Sequence, residues 1–242
     1  MTSILKDLYR LKVMQIKEWP NKDIKRRVQL LNSFKINTVL DIGASIGQYG
    51  HYMRTFGYKG KIISFEPLRE PYKKLQKMSA GDRNWTTVPI ALGDTDGEAE
   101  INVAGNSYSS SIMEMTTAHT DVAPHAAYVG KEKISISRLD TIFNDYYREE
   151  DRVFMKIDTQ GFEKNVLEGA ERSLEKIIGI QVEMSLVPLY KGGMLMVDMI
   201  QYLNQKGFTL FALENGFSNK RSGQVLQADG LFFKTNRQQV DQ

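Results

Sequence analysis

Apolar and polar positions along this chain fall into blocks that predict strands and helices in turn. Thr38-Val39-Leu40-Asp41-Ile42 is a short apolar run containing one acid, and it predicts a buried strand over 38–42. Gly43 and Gly47 follow, then helical spacing from about 46 to 56, then a second strand, Lys61-Ile62-Ile63-Ser64-Phe65, closing on Glu66. Pro67 and Pro71 flank the start of a helix that runs to about Met78. Trp85 to Ala91 reads as a third strand, ending in Leu92-Gly93-Asp94. Glu98 to Val103 alternates as a half-buried strand does. Residues 104–132 break the rhythm with Gly105, Asn106, a cluster of serines, Pro124 and Gly130, and they predict a long loop. Alternation returns at 133–137, followed by a helix over Leu139–Tyr147 and a buried strand over Val153–Asp158. A helix over Glu163–Lys176, a strand over Ile178–Met184 and a helix over Val197–Gln205 come next. Phe208–Leu213 and Gly230–Lys234 form a last pair of strands.

Strands alternating with helices predict an α/β fold, an open parallel sheet with helices on both faces. Ligands bind such sheets at the carboxyl ends of the strands. Four predicted strands end in or near acids there: Asp41, Glu66, Asp158 and Glu183. Residues 1–35 read as two helices broken near Trp19-Pro20, so the expected organisation is a helical extension over 1–35 and one domain over 36–242.

The segment from Asp41 to Glu66 is a βαβ unit with a glycine loop at its first carboxyl end and a carboxylate at its second. Such a unit binds a nucleoside, with glycines admitting the ligand to the backbone and the acid accepting from a ribose diol. A dinucleotide site needs G-x-G-x-x-G, and here Ser45 stands where the middle glycine would be. That argues against a nicotinamide-dependent oxidoreductase. No Gly-Lys-Ser/Thr phosphate loop occurs either. A loop with few glycines suits a ligand without phosphates, so S-adenosylmethionine is the leading candidate.

Composition narrows the partners. Of 242 residues, 41% are hydrophobic and 25% charged, ordinary for a globular chain. A net charge of +3 makes no demand for nucleic acid, and no nucleic-acid motif occurs. Cysteine is absent, which removes disulfides and thiolate chemistry. There is no apolar run long enough to span a membrane. The first residues carry Lys6, Asp7, Arg10 and Lys12 where a signal peptide would need an apolar core, so cytoplasmic residence is the expectation. Ile4, Leu5, Leu8 and Leu11 fall at helical spacing beside Lys12, Lys17, Lys22, Lys25, Arg26 and Arg27. Packing against the domain or a second copy, as in a homodimer, is the simpler use of these helices. Weak peripheral contact with an anionic membrane is the alternative.

Six segments occur in an order that resembles the FkbM family of S-adenosylmethionine-dependent methyltransferases. They are Asp41-Ile-Gly-Ala-Ser-Ile-Gly47, Phe65-Glu66-Pro67, Ala91-Leu92-Gly93-Asp94, Ser109-Ser110-Ser111, Lys156-Ile157-Asp158-Thr-Gln-Gly161-Phe-Glu163 and Val166-Leu167-Glu168-Gly169-Ala170. The resemblance covers roughly residues 36–235. It implies a class I methyltransferase (Rossmann-like) fold with an antiparallel final strand. It also implies methyl transfer, usually to a hydroxyl of a sugar, glycan or natural-product scaffold. Two departures stand out. The family often has Val-Glu where this chain has Thr159-Gln160, and often a small residue where it has Phe162.

On that footing Gly43, Ala44, Ser45 and Gly47 would follow the methionine moiety, with Asp41 orienting its ammonium. Glu66, beside Pro67, would hold the ribose. Leu92 and Asp94 would flank adenine, and Ser110 would bond the cofactor or the acceptor. A hydroxyl is a poor nucleophile until its proton is removed. Asp158 is the sharpest candidate for a base, with Glu183 one strand over. Asp158 could equally anchor the methionine ammonium. His119 and His125 in the long loop are further candidates, and Tyr108, Tyr128 and Tyr190 could stack on a sugar ring. A metal site is not assigned, and a divalent cation such as magnesium on the carboxylate pair is the less favoured alternative. Glu163 either complements the N-terminal dipole of its helix or takes part in catalysis. The rival from another class is a scaffold that keeps the fold without the chemistry.

Overall fold

Alternate residues of the central strands leave the sheet on opposite sides, and both sides are apolar, so each must be covered. The structure, a computed structural model, describes residues 21–234. Seven strands form the main sheet in the order β3-β2-β1-β7-β8-β10-β9. They are β1 (Thr38–Ile42), β2 (Lys61–Phe65), β3 (Trp85–Val88), β7 (Val153–Ile157), β8 (Ile177–Ser185), β9 (Phe208–Asn215) and β10 (Gln227–Lys234). All pairings are parallel except those of β10, which runs antiparallel to both β8 and β9. That is the expected antiparallel strand.

On one face Val39, Ile62, Phe154, Leu231 and Phe233 pack under α1 (Asn21–Ser33), α2 (Gln48–Thr55) and α3 (Arg69–Ser79). On the other, Leu40, Ile63, Met155 and Phe232 pack under α4 (Leu139–Tyr146), α5 (Glu163–Glu168) and α6 (Met196–Gln205). Val28 and Leu31 place α1 in the core, so the part of the extension that is described lies against the sheet. The predicted first helix, with Ile4, Leu5, Leu8 and Leu11, lies outside the described residues, as do the membrane and dimer contacts assigned to it.

Three expectations change. The strand expected over Trp85–Ala91 stops at Val88, and Ala91–Leu92 forms a separate strand, β4, in a second sheet. That sheet, ordered β4-β6-β5, contains β5 (Gly97–Ala104) and β6 (Tyr128–Ser137). The expected loop is therefore shorter, since β6 begins at Tyr128, and it holds a helical turn at Thr117–Thr120. The helix expected over Glu163–Lys176 breaks after Glu168. A Cβ on Gly169 would lie 1.7 Å from the Gly93 carbonyl oxygen. The chain turns at that contact and resumes as a 3₁₀ turn over Ser173–Lys176.

Strand order reverses between β1 and β7. In open α/β sheets ligands bind in the crevice that such a reversal opens. The loops that follow those two strands carry the site.

Candidate active site

The crevice is built where two loops touch. Gly43 has φ +73°, and a Cβ there would lie 1.9 Å from the Asp158 carbonyl oxygen, so only glycine fits. The Asp158 amide donates to the Ile42 carbonyl at 3.1 Å, which joins the two strand ends. Gly47 and Ser45 are also left-handed, at φ +92° and +49°.

Strand register explains the charges beneath. Asp41 sits beside Ser64 on β2 and beside Lys156 on β7. The Ser64 hydroxyl donates to Asp41 Oδ2 at 2.9 Å, and Lys156 Nζ lies 3.3 Å from Oδ1. Lys156 Nζ also donates to the Gly43 carbonyl at 3.1 Å and stands 3.4 Å from Asp158 Oδ2. Burial works against the Lys156 charge, but the carboxylates of Asp158, Asp41 and Asp229 outweigh it and hold the group protonated. Burial pushes the Asp41 carboxyl up, against the pull of Lys156. Asp41 is fully buried beneath the loop, held by Ser64 and Lys156.

Glu66 is also buried. Its Oε2 accepts the Ser45 amide at 2.8 Å and its Oε1 the Leu68 amide at 2.9 Å. Burial lifts this carboxyl to about 7 in spite of both amides. Each oxygen keeps a second lone pair for another donor. Pro67 is half-buried beside it, and Leu92 is buried beneath. Asp94 is half-buried and accepts from Asn165 Nδ2 at 3.0 Å. Ala44 is buried, its amide donating to the Phe65 carbonyl. The Ser45 hydroxyl is buried with no protein partner among the described residues.

Past β7 the chain makes two left-handed residues in succession, Gln160 (φ +56°) and Gly161 (φ +97°). Glu163 Oε1 collects the Thr159 and Gly161 amides at 3.0 and 3.1 Å, and burial lifts its carboxyl to about 7. Its observed work is holding this turn. The turn aims the Gln160 carboxamide between two acids. Its Nε2 donates to Asp158 Oδ1 at 2.8 Å and to Glu183 Oε2 at 2.9 Å, while its Oε1 accepts from the Tyr190 hydroxyl at 2.7 Å. Gln227 Nε2 donates to the same Glu183 oxygen at 2.7 Å. Burial raises the Glu183 carboxyl well above its ordinary range, and Asp158, Asp229 and Glu163 push the same way.

A cavity of about 680 Å³ opens on this side, lined in part by Tyr108, His119, His125, Gln160, Glu183 and Phe217. Neither the glycine loop nor Glu66 nor Asp158 lines it. Glu183 and Gln160 are thus its link to the crevice, where the Asp158 side chain is 36% exposed. His119 is buried between Tyr190 and Phe217, with Nδ1 unpartnered among the described residues, and burial lowers its pKa. His125 is exposed at the rim. Ser110 lies away from both spaces in its bonding. Its hydroxyl donates to the Ser107 carbonyl and accepts the Ala104 amide. Of the three tyrosines, Tyr108 is exposed at the cavity. Tyr128 donates to the Met113 carbonyl, and Tyr190 is buried. Phe162 packs against Gly93 in the core rather than in the cavity. Gln160 was visible in the sequence only as a departure from a pattern, and Lys156 only as one residue of a motif. No group of three or more His, Cys, Asp or Glu side chains arranged for a metal occurs among the described residues.

The profile of the methyltransferase FkbM domain matches residues 41–210. Among curated proteins no match was found. Among solved structures, the fold is similar to the plantazolicin methyltransferase BamL, in complex with a triazolic desmethylPZN analog and SAH. The TM-score is 0.51 at 11% identity, over 89% of this chain and 84% of that one. An rRNA methylase from Streptococcus thermophilus aligns at TM-score 0.45 and 12% identity, over 83% of this chain and 88% of that one. TrmK of M. capricolum, in complex with S-adenosyl-homocysteine, aligns at 0.46 and 9%, over 87% and 68%. At these identities the likeness concerns the fold.

Proposed function

The chain belongs to the FkbM methyltransferase domain family, matched over residues 41–210, and from that premise we propose that it methylates a hydroxyl of a sugar, glycan or glycosylated natural product, with S-adenosylmethionine as donor. The residues at the strand ends fit that donor. The unpartnered Ser45 hydroxyl lies in the loop expected along the methionine moiety. Glu66 has lone pairs left for ribose hydroxyls, and Asp94 has them for the adenine amine. Asp158, the most open carboxylate of the crevice, would face the cationic end. When bound, the cofactor supplies an electrophilic methyl on a sulfonium.

The protein's own task is to hold the acceptor and take its proton. One observation carries this reading. The Gln160 amide bridges the crevice carboxylate Asp158 and the cavity carboxylate Glu183. Glu183, whose carboxyl burial raises well above its ordinary range, suits a general base for a hydroxyl. Glu183 would take the O–H proton of the acceptor, while the bound donor would supply the methyl, its carbon–sulfur bond breaking to leave S-adenosylhomocysteine. Tyr108 offers the cavity's exposed aromatic face to a sugar ring. Cytoplasmic residence remains part of this reading.

Calorimetric titration with S-adenosylhomocysteine, then transfer of labelled methyl from S-adenosylmethionine to a panel of glycosides and to bulk RNA, tests it. Heat of binding and labelled glycoside are expected. No heat, or label in RNA alone, overturns it. In Glu183→Gln, kcat should fall about 10²- to 10⁴-fold with S-adenosylhomocysteine affinity unchanged.

A further inference from the structure

We propose that Gln160 is a positioning residue whose carboxamide, clamped by the Tyr190 hydroxyl, locks Asp158 and Glu183 into one unit and leaves Glu183 Oε1 as the oxygen that meets the acceptor. The inference rests on the methyl-transfer reading for its purpose and on this chain's own hydrogen bonds for its content. Both Gln160 amide protons are spent on carboxylates, at 2.8 and 2.9 Å, and the amide oxygen is spent on Tyr190 at 2.7 Å. The amide has only one sensible orientation. Turned over, its oxygen would face two carboxylate oxygens. The backbone is fixed as well. The Ser111 hydroxyl donates to the Gln160 carbonyl at 2.6 Å, and a Cβ on Gly161 would lie 2.6 Å from Tyr190 Cβ. Tyr190 therefore packs on the turn with its ring and orients the turn's side chain with its hydroxyl.

The bonding at Glu183 is one-sided. Gln160 and Gln227 both donate to Oε2, and Oε1 accepts no hydrogen bond from the described residues. A carboxylate held by one oxygen presents the other in a fixed direction. The groups facing it are Asp158 and Lys156 from the end of β7, Asp229 from β10, Glu163 from α5, and Tyr190. Three of these five are carboxyls, whose charge favours a proton on Glu183, while the Lys156 ammonium favours the ionised form. The two amides favour the ionised form, as donors to a carboxylate do. Gln160 thereby sets how readily Glu183 takes up and gives back a proton. A glutamate at this position would have no protons to give and would crowd a third charge against the pair.

The test is a carbon-13 carboxyl titration of the full chain, with and without S-adenosylhomocysteine, the Glu183 signal being assigned by its loss in Glu183→Gln. In Gln160→Met, the Glu183 midpoint should move up by about one pH unit, since a donor to its ionised form is gone. Tyr190→Phe keeps the ring and removes only the clamp, so it should move the midpoint the same way by less. It also serves if Gln160→Met does not fold. The pH profile of kcat should follow the midpoint, while the affinity for S-adenosylhomocysteine stays put. An unmoved Glu183 midpoint in folded Gln160→Met or Tyr190→Phe overturns the proposal. Failure of the wild-type chain to bind S-adenosylhomocysteine would sink the methyl-transfer reading instead, and the titration would still decide whether Gln160 governs Glu183.

Discussion

Lys156 shows how much a single buried side chain can carry. It is 6% exposed and stands between Asp41, Asp158 and the Gly43 carbonyl, so it neutralises the floor of the crevice and ties the glycine loop to β7. Lys156→Met removes the cation and leaves Asp41 as an uncompensated buried charge. Loss of one partner of a buried pair costs about 3–5 kcal/mol, and a lowered urea midpoint would register it. Little of this was legible in the sequence. The positions of Asp41, Glu66, Asp158 and Glu183 followed from strand ends, because an apolar run marks each strand and the course of the chain marks its carboxyl end. Their differing tasks did not, because burial depends on neighbours from other strands. Asp41 lies below the crevice because register sets it between Ser64 and Lys156. Tyr190 looked like a face for a sugar, whereas its hydroxyl orients Gln160.

Elements are joined here by a few contacts that local pattern does not contain. Helix α1 is bound to the sheet edge by Arg27, which pairs with Glu214 of β9 while both are buried. Arg27→Ala should destabilise by about 3–5 kcal/mol, and removal of the helix's whole anchoring should show as loss of cooperative thermal unfolding. The β1 loop meets Asp158 so closely that Gly43→Ala must displace the β7 loop and also adopt a left-handed conformation. Backbone strain alone costs on the order of 1–3 kcal/mol, so a lower melting temperature and weaker S-adenosylhomocysteine binding are expected together. Strand and helix types along 36–234 were legible from periodicity. The second sheet was not, because β4 is only two residues long and its partner β6 lies beyond a loop. The break after Glu168 was hidden for a similar reason. At the break Gly169 lies so close to the Gly93 carbonyl, far off in the chain, that no side chain fits there.

Across the whole molecule, two opposed sets of carboxyls shape the response to pH. Glu66 and Glu163, lifted by burial from 4.5 to about 7, keep protons in the folded chain that the unfolded chain gives up. Folding therefore takes up protons between those values, and stability falls as pH climbs from about 4.5 to about 7. Asp82, Asp140 and Asp151 act the other way. Burial opposes their charge, but bonds from Arg54, Ser173 and Lys61 prevail and lower them, so their stabilisation is lost on acidification. The urea midpoint should peak near pH 5, drop toward pH 8, and drop less in Glu66→Gln. No helix among the described residues is long and apolar enough to cross a membrane. The cavity draws its walls mainly from residues 106–125 and 217–227, two stretches that contain none of the glycine loop. On the reading proposed above, donor recognition and acceptor choice are inherited as separate parts. Exchanging those two stretches between relatives would change what is methylated without rebuilding the machinery that delivers the methyl.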